Sequence, residues 1–212
     1  MRLIVRMIAL LFVFTLIGCS SGEKSQTEKP AAETKQAPKQ ATLETGREAF
    51  QKMYVFARQW APDAKPYRLE SVFNDESNGQ KGTASVWRSG FASPSRRGLK
   101  GFIWSGSVLP DAPSAGVTAG VEDTYNPSNS STQIFDIAYL KVDSDKAYDV
   151  ALKHGGEKLI KKNPKEPVTY LLDWNPRENI LTWHVIFGPD PHDPKLRIAV
   201  NASTGDFKNI EH

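Results

Sequence analysis

The sequence predicts an α+β domain in which helices pack on an antiparallel sheet. Three observations lead there. The order helix, strand, strand, strand occurs twice. The strand segments alternate apolar and polar side chains or form short β-branched and aromatic runs bounded by turn residues. Each half contains one amphipathic helical stretch in front of its strands.

In the first half, Thr45-Gly46-Arg47-Glu48 reads as a capping box, with Thr45 as N-cap and Glu48 three residues on. Phe50, Met53, Tyr54, Ala57 and Trp60 follow at helical spacing, and Pro62 stops the helix. Tyr67, Leu69, Ser71 and Phe73 alternate with Arg68, Glu70 and Val72, the pattern of a half-buried strand. Turn residues occupy 74–82, and 83–91 and 99–104 read as two more strands around the loop 92–98. Residues 108–131 are rich in Pro, Gly, Ser, Asp and Asn and read as a long loop, either a linker or a flap. In the second half, 133–142 reads as a strand, and 143–154 as a helix that can continue towards Asn163. Strands follow at 168–174, 180–187 and 196–200, with a turn at Ser203-Thr204-Gly205-Asp206 and a last short strand at 207–210.

Several residues recur in register between the halves. Ala49-Phe50 matches Ala147-Tyr148, Trp87 matches Trp183, and Phe91 and Phe187 each lie four residues beyond their Trp. The expected architecture is therefore two αβββ units. The second resembles the PepSY family in its helix with Ala147 and Ala151, in Leu181-Thr182-Trp183-His184-Val185, and in Ile198-Ala199-Val200-Asn201-Ala202-Ser203-Thr204-Gly205. Asn201 stands where that family commonly has Asp. The resemblance implies a non-catalytic binding or regulatory module and names no ligand.

The amino-terminal segment carries an address. Arg2 and Arg6 precede an apolar run from Ile8 to Ile17, which ends in Leu16-Ile17-Gly18-Cys19. This layout resembles the signal peptide and lipobox of bacterial lipoproteins. About ten apolar residues are too few for a permanent span, which needs about 20. The resemblance implies cleavage after residue 18, lipid (palmitate among the acyl chains) on Cys19, and membrane attachment through that anchor. Ser20, where Asp would favour inner-membrane retention, implies an outer-membrane lipoprotein facing the periplasm. Residues 19–42 read as lipidated Cys plus tether: the segment after Cys19 has no Leu, Ile, Val or aromatic residue and cannot offset its ordering entropy. Its r.m.s. reach as a coil would be about 25 Å. The domain expectations are then 43–107 for the first half, 108–131 for the loop and 132–212 for the second half.

Of 27 basic residues, Arg2 and Arg6 fall in the leader, which leaves 25 against 24 acidic ones. That balance does not suggest nucleic acid. Cys19 is the only cysteine, so the exported domain is expected to have no disulfide. No Gly-x-Ser-x-Gly, His-Glu-x-x-His or P-loop occurs, so no enzyme and no cofactor is expected. Asp190, His192 and Asp193 form a dense polar loop between prolines, but three ligands in four residues converge poorly on a metal. His184 is expected to be a sheet residue facing opposite Trp183, and His154 to complement a helix end. Candidate binding residues are Trp104 and Trp174, placed near strand ends, and the basic loop Arg96, Arg97 and Lys100. The expected partner is an envelope protein or peptide. The alternatives are a small ligand or glycan in a cleft between the halves, with 108–131 as a lid, and an envelope hydrolase.

Overall fold

The structure is a computed structural model that describes residues 40–211. The lipobox, Cys19 and the tether as far as residue 39 lie outside the described residues. In chain order the elements are β1 (Glu44–Thr45), α1 (Gly46–Trp60), β2 (Lys65–Ser71), β3 (Thr83–Ala84), β4 (Val86–Ser93), β5 (Gly98–Ser105) and β6 (Gly116–Thr124). There follow α2 (Ser144–Ala151), α3 (Glu157–Lys162), β7 (Val168–Asn175), β8 (Ile180–Phe187), β9 (Leu196–Asn201) and β10 (Phe207–Glu211). Strands β1 and β3 form a small pair, and the other eight make one antiparallel sheet in the order β10-β9-β8-β7-β2-β4-β5-β6. The halves therefore do not face each other across a cleft. They join edge to edge where β2 pairs with β7, with Arg68 opposite Asp173 and Leu69 opposite Leu172. Each half contributes four strands to the sheet: the first gains β6 beyond its three expected strands, and the second has β10 at the expected last short strand. Among the described residues no helix is long and apolar enough to cross a membrane.

Both helical segments lie on one face of the sheet: α1 against β2, β4 and β5, and α2 against β8 and β9. The capping box forms as expected. Thr45 Oγ1 accepts from the Glu48 amide, and the Thr45 amide donates to Glu48 Oε2 at 3.0 Å. Ala49, Phe50, Met53 and Ala57 line the buried stripe of α1. Helix α2 runs through a widened turn at Leu152–Gly156 into α3. There Gly156 passes so close to Phe187 that a Cβ would sit 2.4 Å from the ring.

The two helices begin at one point above the seam. The Gly46 amide donates to Ser144 Oγ at 2.7 Å, Ser144 Oγ donates to the Gly82 carbonyl at 2.7 Å, and Asp143 Oδ1 accepts from the amides of Arg47 and Ser144. A carboxylate at two helix starts also meets the positive ends of both macrodipoles. Beneath this point lie Trp87 and Trp183, both fully buried, with ring centroids 6.4 Å apart and edge to face. Their indoles are used in the same way. Trp87 Nε1 donates to the Glu44 carbonyl at 3.0 Å and Trp183 Nε1 to the Val142 carbonyl at 2.9 Å, each two residues before its own helix. Gly46 admits these rings, since a Cβ there would lie 2.7 Å from Trp183. Tyr170 completes the cluster at 5.9 Å from Trp87, and its hydroxyl donates to the Gly79 carbonyl at 2.6 Å. Burial pushes the pKa of this phenol well above its ordinary value.

Two expectations fail. Residues 133–142 do not form a strand. The Asp136 side chain accepts from the Ala138 amide at 2.8 Å and closes a single turn at Ile137–Tyr139, a local bond that competes with a ladder. Residues 108–131 are not all loop, because 116–124 form β6, the sheet edge beside β5. Its small, mostly exposed residues and Gly120 give it a loop-like composition.

Replacing Trp183 or Trp87 with Ala should cost about 3–5 kcal/mol of unfolding free energy, read as a lowered urea midpoint. A loss under about 1 kcal/mol would show that the seam is not where the fold is held.

Candidate functional site

Alternation along the strands divides the sheet into two chemically different faces. Trp87, Leu69, Leu172 and Trp183 point to the helices, and Arg88, Arg68, Leu171, His184 and Arg197 point to the face that carries no helix. Charge concentrates on that second face, in two groups.

The first group is centred on His184, which is nearly buried. Its Nδ1 lies 2.6 Å from Glu211 Oε2 and its Nε2 lies 3.1 Å from Asp173 Oδ1. Arg197 Nε also lies 2.8 Å from Glu211 Oε2, as an ion pair off the hydrogen-bonding line. Burial disfavours the charged imidazole, but the hydrogen bonds to Asp173 and Glu211 outweigh it and raise the His184 pKa. Burial likewise opposes the Glu211 carboxylate, and the bond from His184 overcomes it and lowers that pKa. With a carboxylate against each ring nitrogen, the protonated imidazole can satisfy both hydrogen bonds, and the raised pKa favours that form. The group is a clasp across β7, β8, β9 and β10.

The second group lies on the β2–β7 seam and the first half. A trough of about 400 Å³ runs over the seam, between Arg68, Arg88 and Leu171 on one side and Ile186, Pro191 and Arg197 on the other. It continues into a hollow of about 230 Å³ bordered by Tyr67, Gly90, Gly101 and Ile103, and into another of about 220 Å³ under Leu109–Pro113. Arg88 borders all three. Arg68 is paired with Glu70 at 2.8 Å, whereas Arg88 is exposed and in no ion pair among the described residues. Glycines floor the second hollow: Gly90 faces Gly101 across the β4–β5 ladder, and Gly120 adjoins Gly101.

The residues singled out from the sequence do not converge here. Trp104 is buried, only 4 % exposed, on the helix side beside Trp87, with Lys52 Nζ 5.2 Å from its ring centroid. Its strand-end position suggested a contact surface, but its place in the alternation turns it into the core. Trp174 is half-buried against Tyr139, ring centroids 5.3 Å apart, on the helix side as well. Arg96 lies 5.7 Å from the Trp60 ring and 3.4 Å from Glu122, and Lys100 stands opposite Glu122 in the ladder. Glu122 therefore balances that loop. The bond from Trp60 at 2.8 Å, with Arg96 and Lys100 nearby, holds its pKa below the usual carboxylate value. Arg97 is exposed in the turn, in left-handed backbone at φ 53°. From Gly98 to Trp104 along β5 is about 20 Å at about 3.3 Å per residue, so the loop and Trp104 share no concavity.

Asp190 Oδ1 accepts from the His192 amide at 2.8 Å, which makes a local turn, and Pro191 and His192 wall the trough. His154 stacks on Phe207, centroids 3.7 Å apart. The sequence hinted at the trough only through alternation: the residues that follow the two matched tryptophans are Arg88 and His184.

No protein-family model matches the chain, and no curated protein matches it. A crystal structure from Clostridium difficile, described there as a "putative lipoprotein", superposes with a TM-score of 0.52 at 12 % identity, over 77 % of this chain and 91 % of that one. The likeness is one of fold.

Because the His184 pKa is raised, its ion pairs stabilise fully below the unfolded value of about 6.5. The contribution is lost as pH rises through the folded value. The lowered Glu211 pKa sets the other limit, since that contribution is lost as pH falls below about 4.5. In urea titrations His184→Gln should lower stability by about 1–3 kcal/mol at pH 6, with the gap to wild type narrowing as pH is raised towards 9.5. A gap that is constant or widens would contradict the protonated clasp.

Proposed function

We propose that the chain is a lipid-anchored lipoprotein whose folded domain is a non-enzymatic binding or regulatory module that presents its helix-free sheet face to a protein or peptide of the envelope. The observation that carries this reading is the trough on that face, with one cation at the meeting point of three hollows. The lipobox at Leu16–Cys19, the PepSY-like second half and the fold likeness to a structure described as a lipoprotein support it. Ser20 favours the outer membrane, facing the periplasm. An envelope hydrolase finds no support at His184, where both ring nitrogens are engaged by carboxylates.

A second reading, a small ligand bound between the halves, is favoured by one fact: the trough straddles the β2–β7 seam. The lid expected from 108–131 reduces to Leu109–Pro113 at one end of it.

Two measurements test the leading reading. Intact mass of the protein from its host should show Cys19 acylated, and Cys19→Ser should release the protein from the membrane fraction; an unmodified Cys19 would defeat the anchor. A photo-crosslinker at Ile103, on the trough, should trap a discrete protein adduct in intact envelopes. The same group at Val55, exposed on α1, should not. Identical patterns from the two sites would remove the helix-free face as the contact surface.

A further inference from the structure

We infer that the trough binds an extended acidic peptide, with a carboxylate on Arg88 and an apolar side chain two residues away in the hollow over Gly101. This rests on the reading of the helix-free face as a binding surface and gives that surface a ligand chemistry.

The charges of the trough favour an anionic partner. The cations of the trough are Arg68, Arg88 and Arg197, and Glu70 is the carboxylate that lines it with them. Arg68 is paired with Glu70 and Arg197 with Glu211. Arg88 is therefore the guanidinium left to recognise a partner, and its planar fork suits a carboxylate.

The shape of the trough favours an extended chain. Glycine within a strand marks a place where another chain can approach the backbone closely. Gly90 is roofed, because a Cβ there would lie 2.3 Å from the Tyr67 ring. Gly101 is not: a Cβ there would meet nothing within 4 Å. The hollow above it is thus walled by Tyr67 and Ile103 and left empty by the protein's own side chains.

The spacing of the two contacts fits a strand. Arg88 pairs with Ile103, and Gly101 pairs with Gly90, two residues further along the same ladder. Two residues of strand are about 7 Å, the separation of side chains i and i+2 on one face of an extended chain. Three shallow hollows linked at one cation suit alternate side chains of a peptide. A compact ligand would instead be enclosed on most of its surface.

The test uses the full-length protein in detergent and fluorescein-labelled Val-Ser-Glu-Ser-Val, which sets an apolar side chain two residues from its carboxylate, read by anisotropy. Val-Ser-Lys-Ser-Val serves as the charge-reversed probe and acetate as the free carboxylate. The acidic peptide should bind, more weakly as salt is raised, and the basic one should not. Arg88→Gln should weaken binding at least about tenfold, the loss of roughly one charge-assisted contact. Gly101→Val adds a β-branched residue in open space, so the thermal midpoint should hold while binding falls about as far. Arg96→Gln, on the hairpin away from the trough, should change nothing.

Three results would overturn the inference: equal binding of both peptides, an affinity indifferent to Arg88→Gln and Gly101→Val, or displacement by acetate at equal carboxylate concentration, which would make it a simple anion site. Absence of acidic-peptide binding would also overturn it. The wider reading would then still stand or fall on crosslinking at Ile103, which assumes no ligand chemistry.

Discussion

The edge-to-face contact of Trp87 and Trp183 at the sheet seam fixes the rest of the molecule. Each indole donates to the backbone just ahead of its own helix, so each helix start is tied to the strand beneath it. Ser144 and Asp143 then tie the two starts to each other. A buried tryptophan contributes both area and a directed N–H, so it specifies position as well as burial. With both helices held on one side, the other face of the sheet has no helical cover.

The same contact sets what that bare face displays. Side chains alternate along a strand, so the residue after each tryptophan must point away from the helices. Arg88 follows Trp87 and His184 follows Trp183. A one-residue slip would bury both charges and expose both indoles, which makes the register hard to change. The two halves then differ at these matched places. His184 is closed in by Asp173 and Glu211 and serves the sheet. Arg88 has no such partner among the described residues and borders three hollows. The position after Trp183 carries a clasp, and the position after Trp87 stays available.

Much of the fold was legible because it is local. The capping box, the stripe from Phe50 to Ala57 and Pro62 after the helix all act within a few residues of themselves, whereas the matched tryptophans were visible only through their repeated spacing, since their indoles reach Glu44 and Val142, 43 and 41 residues away. Strand β6 was not legible, since an edge strand with most of its side chains in solvent needs no apolar alternation. The segment 133–142 has a strand-like apolar content, but Asp136 holds a turn in which Ile137 and Tyr139 are exposed, and only Phe135 and Leu140 on either side of it are buried. Among the site residues, Trp104 and the Arg96–Lys100 loop have strong local signals, but their neighbours Lys52, Trp60 and Glu122 come from other elements. The trough shows the converse: Tyr67, Arg88 and Gly101 are unremarkable alone and gain meaning from the ladder that aligns them.

If the helix-free face is the working surface, hydroxyl-radical footprinting of the protein in its native envelope, compared with the purified protein, should show Tyr67, Ile103 and Leu171 protected in the envelope. Val55 and Phe56 on α1 should label equally in both. Protection confined to α1, with Tyr67 and Ile103 unchanged, would contradict that role of the helix-free face.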